Sequence, residues 1–318
     1  MASVLAPEHE GSGKRQQLTR QRNLWIDAWH SFVRNRLALA ALIFIALMLL
    51  TAIVGPMISP YSYTRQDLLN VAQPPSADHW MGTDALGRDF LTRIMMGGRT
   101  AFFIAVLVTS ITAILGVAIG AFSAYQGGLT DSAIMRVTDV IISFPHLLLA
   151  MFIAGTVRPQ IARVTNDISW LRGSAMLDYV TVFGALAIVS WPGYARLMRG
   201  QVLTLRQMEF IEAERMIGAS TGRIIRHHLV PNAIGPIIVA TSASFGQAML
   251  LESSLSFLGV GIKPPAASWG NMINDALITW RQQPFLLAMP GIVLSLVVLA
   301  FNFLGDGIND ALNPRDRR

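Results

Sequence analysis

The chain has 318 residues, 53% of them hydrophobic and only 14% charged, with a formal net charge of +6. A soluble domain of this size carries about 25% charged residues, so the composition is that of a membrane protein. The absence of cysteine excludes a disulfide framework and any thiolate nucleophile or metal site. Lys14 and Lys263 are the only lysines among 25 basic residues, and no basic-aromatic pattern points to nucleic acid.

In chain order, residues 1–36 are polar and basic and read as a cytoplasmic tail followed by a short interfacial helix around Trp25. Residues 37–58 carry no charge and, at about 1.5 Å per residue, are long enough to cross the hydrocarbon core. They lack a small-residue cleavage site, which makes them a retained first span and not a signal peptide. Residues 59–100 form an extracytoplasmic loop. In its last part Phe90, Leu91, Ile94, Met95 and Met96 interleave with Arg88, Arg93 and Arg99, which predicts an interfacial amphipathic helix.

Residues 101–125 are the second span, and a turn with two glycines leads into the third, residues 132–157, kinked at Pro145. Arg136 and Asp139 lie three residues apart on one face of that helix and are expected to pair with each other, as pathway or structural polar groups. Residues 158–178, with Asn166, Asp167, Trp170 and Arg172, make a second outer loop. The fourth span, 179–195, is interrupted by Pro192 and Gly193; the fifth is 233–262, the sixth 284–305, and residues 307–318 form a cytoplasmic tail. The core membrane domain thus runs over residues 101–306 and includes a loop at 201–232.

Glu252 sits inside the fifth span. A charge there is costly unless it faces a cavity or a partner, which favours a functional role. Twenty residues of helix from Ala233 already extend about 30 Å, which instead puts Glu252 near the outer interface, and both readings stand. The small residues Gly235, Ala240, Ser242, Ser244 and Gly246 give the same span a face for close packing or for lining a path.

Six spans leave both termini on one side. That side, together with the polar stretch between spans four and five, holds the majority of the Lys and Arg residues and is predicted to be cytoplasmic. The polar stretch itself, residues 212–231, keeps apolar residues at helical spacing (Ile211, Met216, Ile217, Ile224, Ile225), while Gly218 and Gly222 flank Ser220 and Thr221. This predicts a short helix, a glycine turn with a Ser or Thr N-cap, and a second helix stopped by Pro231. The residues alone also fit an amphipathic hairpin that only links two spans.

Catalytic chemistry finds no support. A phosphate-binding loop needs a Gly-rich turn ending in Lys, and neither lysine has that setting, so ATP hydrolysis would have to occur on another chain. The six histidines show no zinc-ligand spacing, so no metal is expected, and no serine lies in a nucleophile elbow. An ATP-independent channel or secondary carrier is the alternative from another class, but no span carries a chain of carboxylates or a filter-like segment, and no internal repeat encodes two halves.

Residues 212–231 resemble the cytoplasmic coupling loop of ABC-importer permeases: Glu-Ala-Ala, three residues, Gly, nine residues, then Ile-x-Leu-Pro. Glu212, Ala213, Gly218 and Pro231 are in register; Glu214, His228 and Val230 depart from the pattern. Further stretches are similar to one subfamily, the C-type permeases of dipeptide and oligopeptide importers. They are Gly82-Thr83-Asp84-x-Leu86-Gly87-Arg88-Asp89, Arg196-x-x-Arg199-Gly200, residues 255–261 with Pro264-Pro265 and Trp269-Gly270, and residues 302–307. The resemblance covers residues 37–318 and implies an all-α membrane protein of the type I ABC-importer architecture with six transmembrane helices. It implies that Glu212, Ala213, Glu214, Met216, Ile217, Gly218, Ala219 and Ser220 form the ATPase-coupling site, in the bacterial inner membrane. It further implies a second homologous permease, two cytoplasmic ATPases that bind ATP and Mg, and an extracytoplasmic substrate-binding protein.

Overall fold

The computed structural model describes residues 24–165 and 176–312; Asn166, Asp167, Trp170 and Arg172 of the second outer loop lie outside the described residues. In chain order the helices are α1 (Leu24–Arg34), α2 (Arg36–Ile58), α3 (Phe90–Gln126), α4 (Gly128–Ser143), α5 (His146–Thr165), α6 (Met176–Leu205), α7 (Glu209–Met216), α8 (Thr221–Ile224), α9 (Val230–Phe257), α10 (Trp269–Ala276) and α11 (Pro284–Leu312). A π-helical turn at Ile225–Leu229 joins α8 to α9, so that Thr221–Phe257 is one rod. Five helices are long and apolar enough to cross a membrane, and α4 with α5 makes a sixth if the bent pair counts as one span. Among the described residues the only strand-like pairing is an isolated bridge between Thr83 and Asp89.

The spans start where short polar side chains take up free N–H groups. Asn35 Oδ1 accepts from the N–H groups of Leu37 and Ala38 at the head of α2, and Asp89 Oδ2 accepts from Thr92 N–H at 2.8 Å at the head of α3. On α2, Leu37, Ile43, Leu47, Leu50 and Ile53 are exposed. Such a face is a liability in water but is the surface that hydrocarbon accepts.

The centre of the bundle is the pairing of α3 with α6. A Cβ on Gly120 would run into the Ala195 carbonyl oxygen, and one on Gly116 into Tyr194 Cβ, so glycine is what lets these two backbones approach. α11 packs on α9 and α2, and α3 also packs on α9. Phe90, Ile104, Leu186, Met249 and Leu255 are among the fully buried side chains of the main cluster.

Three expectations are corrected. The third span is not a kinked rod: α4 and α5 meet at 93°. Phe144 precedes Pro145 and is extended at φ −89°, ψ 143°, because the proline ring excludes the helical region for its predecessor. The separate amphipathic helix before the second span is the first turns of α3 itself, and Arg93 faces inward, only 1% exposed. It is matched by Asp84 at 3.3 Å and Asp275 at 3.8 Å, while Arg88 Nε bonds Asp84 at 2.6 Å. Pro231, finally, does not stop a helix. The wider π turn just before it accommodates the missing N–H, and the rod continues, with Asn232 Nδ2 donating to the His228 carbonyl at 2.6 Å.

Candidate functional site

The hairpin of α7 and α8 closes one end of the bundle. Ile211, fully buried, pins α7 into a cluster with Tyr194, Met198 and Val202 of α6 and with Ile224 and Leu229 beyond the turn. Its second anchor is Arg215, whose guanidinium lies over the Tyr125 ring at 5.1 Å. Arg206 Nη1 donates to the Ala124 carbonyl at 2.7 Å and so caps the end of α3.

The turn between the two helices is a Schellman motif. Ala219 N–H reaches the Glu214 carbonyl and Gly218 N–H the Arg215 carbonyl, both at 3.0 Å, with Gly218 at φ +80°. An L side chain there is strained although nothing lies within 4 Å of the position, so the spacing to Gly218 is dictated by backbone geometry. Ser220 occupies the N-cap position of α8, but its side chain makes no capping bond.

The predicted coupling residues divide by exposure. Met216 and Ile217, at 85% and 78% exposed, form an apolar tip, while Glu212 and Ala213 are open on the same short helix. Glu214 turns inward to His228, with Oε1 and Nε2 3.2 Å apart, and the His228 ring also contacts Phe210 at 6.5 Å. Ala219 packs against the cluster beneath. The site is therefore a braced scaffold presenting two uncovered apolar side chains at its tip, with Met208 and Phe210 partly exposed at the start of α7.

The expected pairing of Arg136 with Asp139 does not occur. Asp139 bonds Arg196 of α6 instead, and Arg136 is exposed and in no ion pair among the described residues. The same side of α4 presents Asp131 to Arg199 in a bidentate pair, Nε to Oδ1 at 2.8 Å and Nη2 to Oδ2 at 2.5 Å, and Ser123 of α3 donates to Oδ1 at 2.6 Å. Arg199 forks onto Asp131 from another helix, which a neighbour three residues along the same helix cannot do, whereas Asp139 takes a single bond from Arg196. Sequence reasoning missed this clamp, although Arg196 and Arg199 at helical spacing were its visible half.

Glu252 is remote from the hairpin and fully buried. It accepts from Ser256 and Ser268 at 2.7 Å each and from Ser253 at 3.2 Å, and Ser256 Oγ in turn accepts from Ile262 N–H at 2.9 Å. Through these bonds it ties the segment after α9 to α10, where Ser268 is the N-cap. No group of His, Asp or Glu among the described residues could hold a metal ion.

A bundle of membrane spans with an outward apolar face and one projecting, internally braced hairpin defines a multi-pass membrane protein. Comparison with known proteins makes this specific. Residues 116–318 match the model of the binding-protein-dependent transport system inner membrane component, and residues 23–75 that of the N-terminal TM domain of oligopeptide transport permease C. The dipeptide transport system permease protein DppC of Bacillus subtilis (strain 168) is 40% identical, covering 92% of this chain and 86% of the relative. The oligopeptide permease protein OppC of the same organism is 36% identical over 99% and 98%, and the glutathione permease protein GsiD of Pectobacterium atrosepticum 36% over 92% of each. A chain from inward-facing structures of the MetNI methionine ABC transporter has the same fold, with a TM-score of 0.51 over 69% of this chain and 96% of its own, at 18% identity.

The chain belongs to the family of binding-protein-dependent inner-membrane transport components, as a C-type permease subunit. It is a multi-pass inner-membrane protein of an ATP-driven importer, and the ATP-independent channel or carrier is set aside.

Proposed function

We propose that this subunit forms half of the path for dipeptides, oligopeptides or similar small solutes, pairing with a second, homologous permease. Two ATPase subunits on the cytoplasmic side hold ATP and Mg, and a binding protein delivers solute to the opposite face. The majority of Lys and Arg at the hairpin end and in the termini supports this orientation. The names of the relatives support the solute class.

The observation that carries the reading is the uncovered apolar pair Met216 and Ile217 on a hairpin that is otherwise fixed. An ATPase groove covering that pair would grip α7, and the buried Ile211 would pass the displacement to Tyr194, Met198 and Val202 on α6. The Arg199–Asp131 clamp would carry α4 along, producing rigid-body rocking instead of local bending.

The test is reconstitution of the full importer with its binding protein. Mass spectrometry of the purified binding protein should find peptide, and labelled dipeptide should enter proteoliposomes only with ATP. Uptake by this chain alone without nucleotide would contradict the reading.

A further inference from the structure

Behind the break between α4 and α5, a cavity of about 390 Å³ opens among α3, α4, α5, α6 and α9. It is within the size range of small-molecule sites, about 300–1,000 Å³. Its wall includes Thr109, His146, Tyr194, Arg196, Ser244 and Gln247, and no carboxylate. Thr109 and Tyr194 are 1% and 5% exposed, yet Thr109 Oγ1 and Tyr194 Oη have no hydrogen-bond partner. Thr112, one turn on, shows the usual solution: its hydroxyl bonds the Val108 carbonyl of its own helix at 2.8 Å. A buried hydroxyl left unpaired costs about 1–3 kcal/mol, and both oxygens are themselves buried, so a side-chain rotation toward the cavity that gave them a partner would relieve that cost.

The charge of the wall says which occupant. Arg196 gives one bond, from Nη2, to Asp139, whose side chain is 62% exposed and outside the lining. Nε and Nη1 make no hydrogen bond among the described residues, so the guanidinium still has donors to offer. His146, the first residue of α5, lines the same wall.

We propose that this cavity is a transit site for the carboxylate of the solute, received by Arg196 and His146 and oriented by the hydroxyls of Thr109 and Tyr194 and the amide of Gln247. The site rests on the peptide reading only for the identity of the solute, since any small carboxylate satisfies the same donors.

The cysteine-free sequence allows a direct test. In the assembled importer, Ser244→Cys is reacted with a methanethiosulfonate bearing a sulfonate and with one bearing a trimethylammonium, each rate normalised to a free thiol and read by the mass of this subunit. The anionic reagent should react about tenfold faster, as expected when a fixed cation concentrates an anion in a cleft. The preference should disappear in Arg196→Gln and return in Arg196→Lys, and a dipeptide should protect the thiol where its C-terminal amide does not. Equal normalised rates, or a thiol sealed off by the second permease, would overturn the proposal. An anionic preference protected by another carboxylate but by no peptide would uphold the site and remove the peptide reading.

Discussion

Arg199 of α6 and Asp131 of α4 face each other through two parallel hydrogen bonds of 2.8 and 2.5 Å, and Ser123 of α3 closes the carboxylate from a third helix. One ion pair thus fastens three helices at the end of the bundle that bears the hairpin. Arg199→Ala should destabilise the protein by about 2 kcal/mol, less than for a fully buried pair because Arg199 is 34% exposed. Arg199→Lys should lose roughly half as much, since an ammonium cannot fork. Melting temperatures of the detergent-purified complex give both values.

At Gly218 the constraint is backbone and not space. Gly218→Val puts a β-branched residue at φ +80° and should cost about 1–2 kcal/mol locally, enough to unseat the hairpin tip and lower solute uptake per ATP hydrolysed. Gly218→Asn, which tolerates that region, should lose much less. Membrane levels of both variants should match wild type; equal coupling in both would remove the argument.

Between α3 and α6 the constraint is reversed. Gly120→Ala drives a methyl group into the Ala195 carbonyl and should destabilise by about 1–3 kcal/mol, whereas Gly200→Ala, with nothing within 4 Å, should be neutral. Quantifying the folded fraction by fluorescence-detected size exclusion separates the two.

Glu252 accepts from three serine hydroxyls. Glu252→Ala leaves the hydroxyls of Ser253, Ser256 and Ser268 without their acceptor and should cost about 2–4 kcal/mol in stability. The surviving protein should keep the KM for solute of the wild type. A changed KM at normal stability would return Glu252 to the transport path.

Much of this was legible in the residues because it is governed locally. The spans follow from long uncharged runs, and Gly218 from the left-handed residue that a Schellman turn demands. Pro145 marked the break before His146, but not its 93° angle, which depends on what α4 and α5 pack against. Two misjudged positions have partners distant in sequence. Arg93 reads as interfacial until Asp275 is brought beside it, and Asp139 seems paired with Arg136 until α6 presents Arg196. Pro231 reads as a stop because the π turn that accommodates it has no sequence signature of its own.

The central claim is that force enters through the tip of the α7–α8 hairpin. Met216→Cys in the assembled importer tests it most directly, since this subunit has no other thiol. The account predicts labelling by an impermeant reagent only in inside-out vesicles, and a cross-link to an ATPase subunit that halts uptake until it is reduced. Labelling from outside intact cells, or undiminished uptake with the cross-link in place, would contradict it.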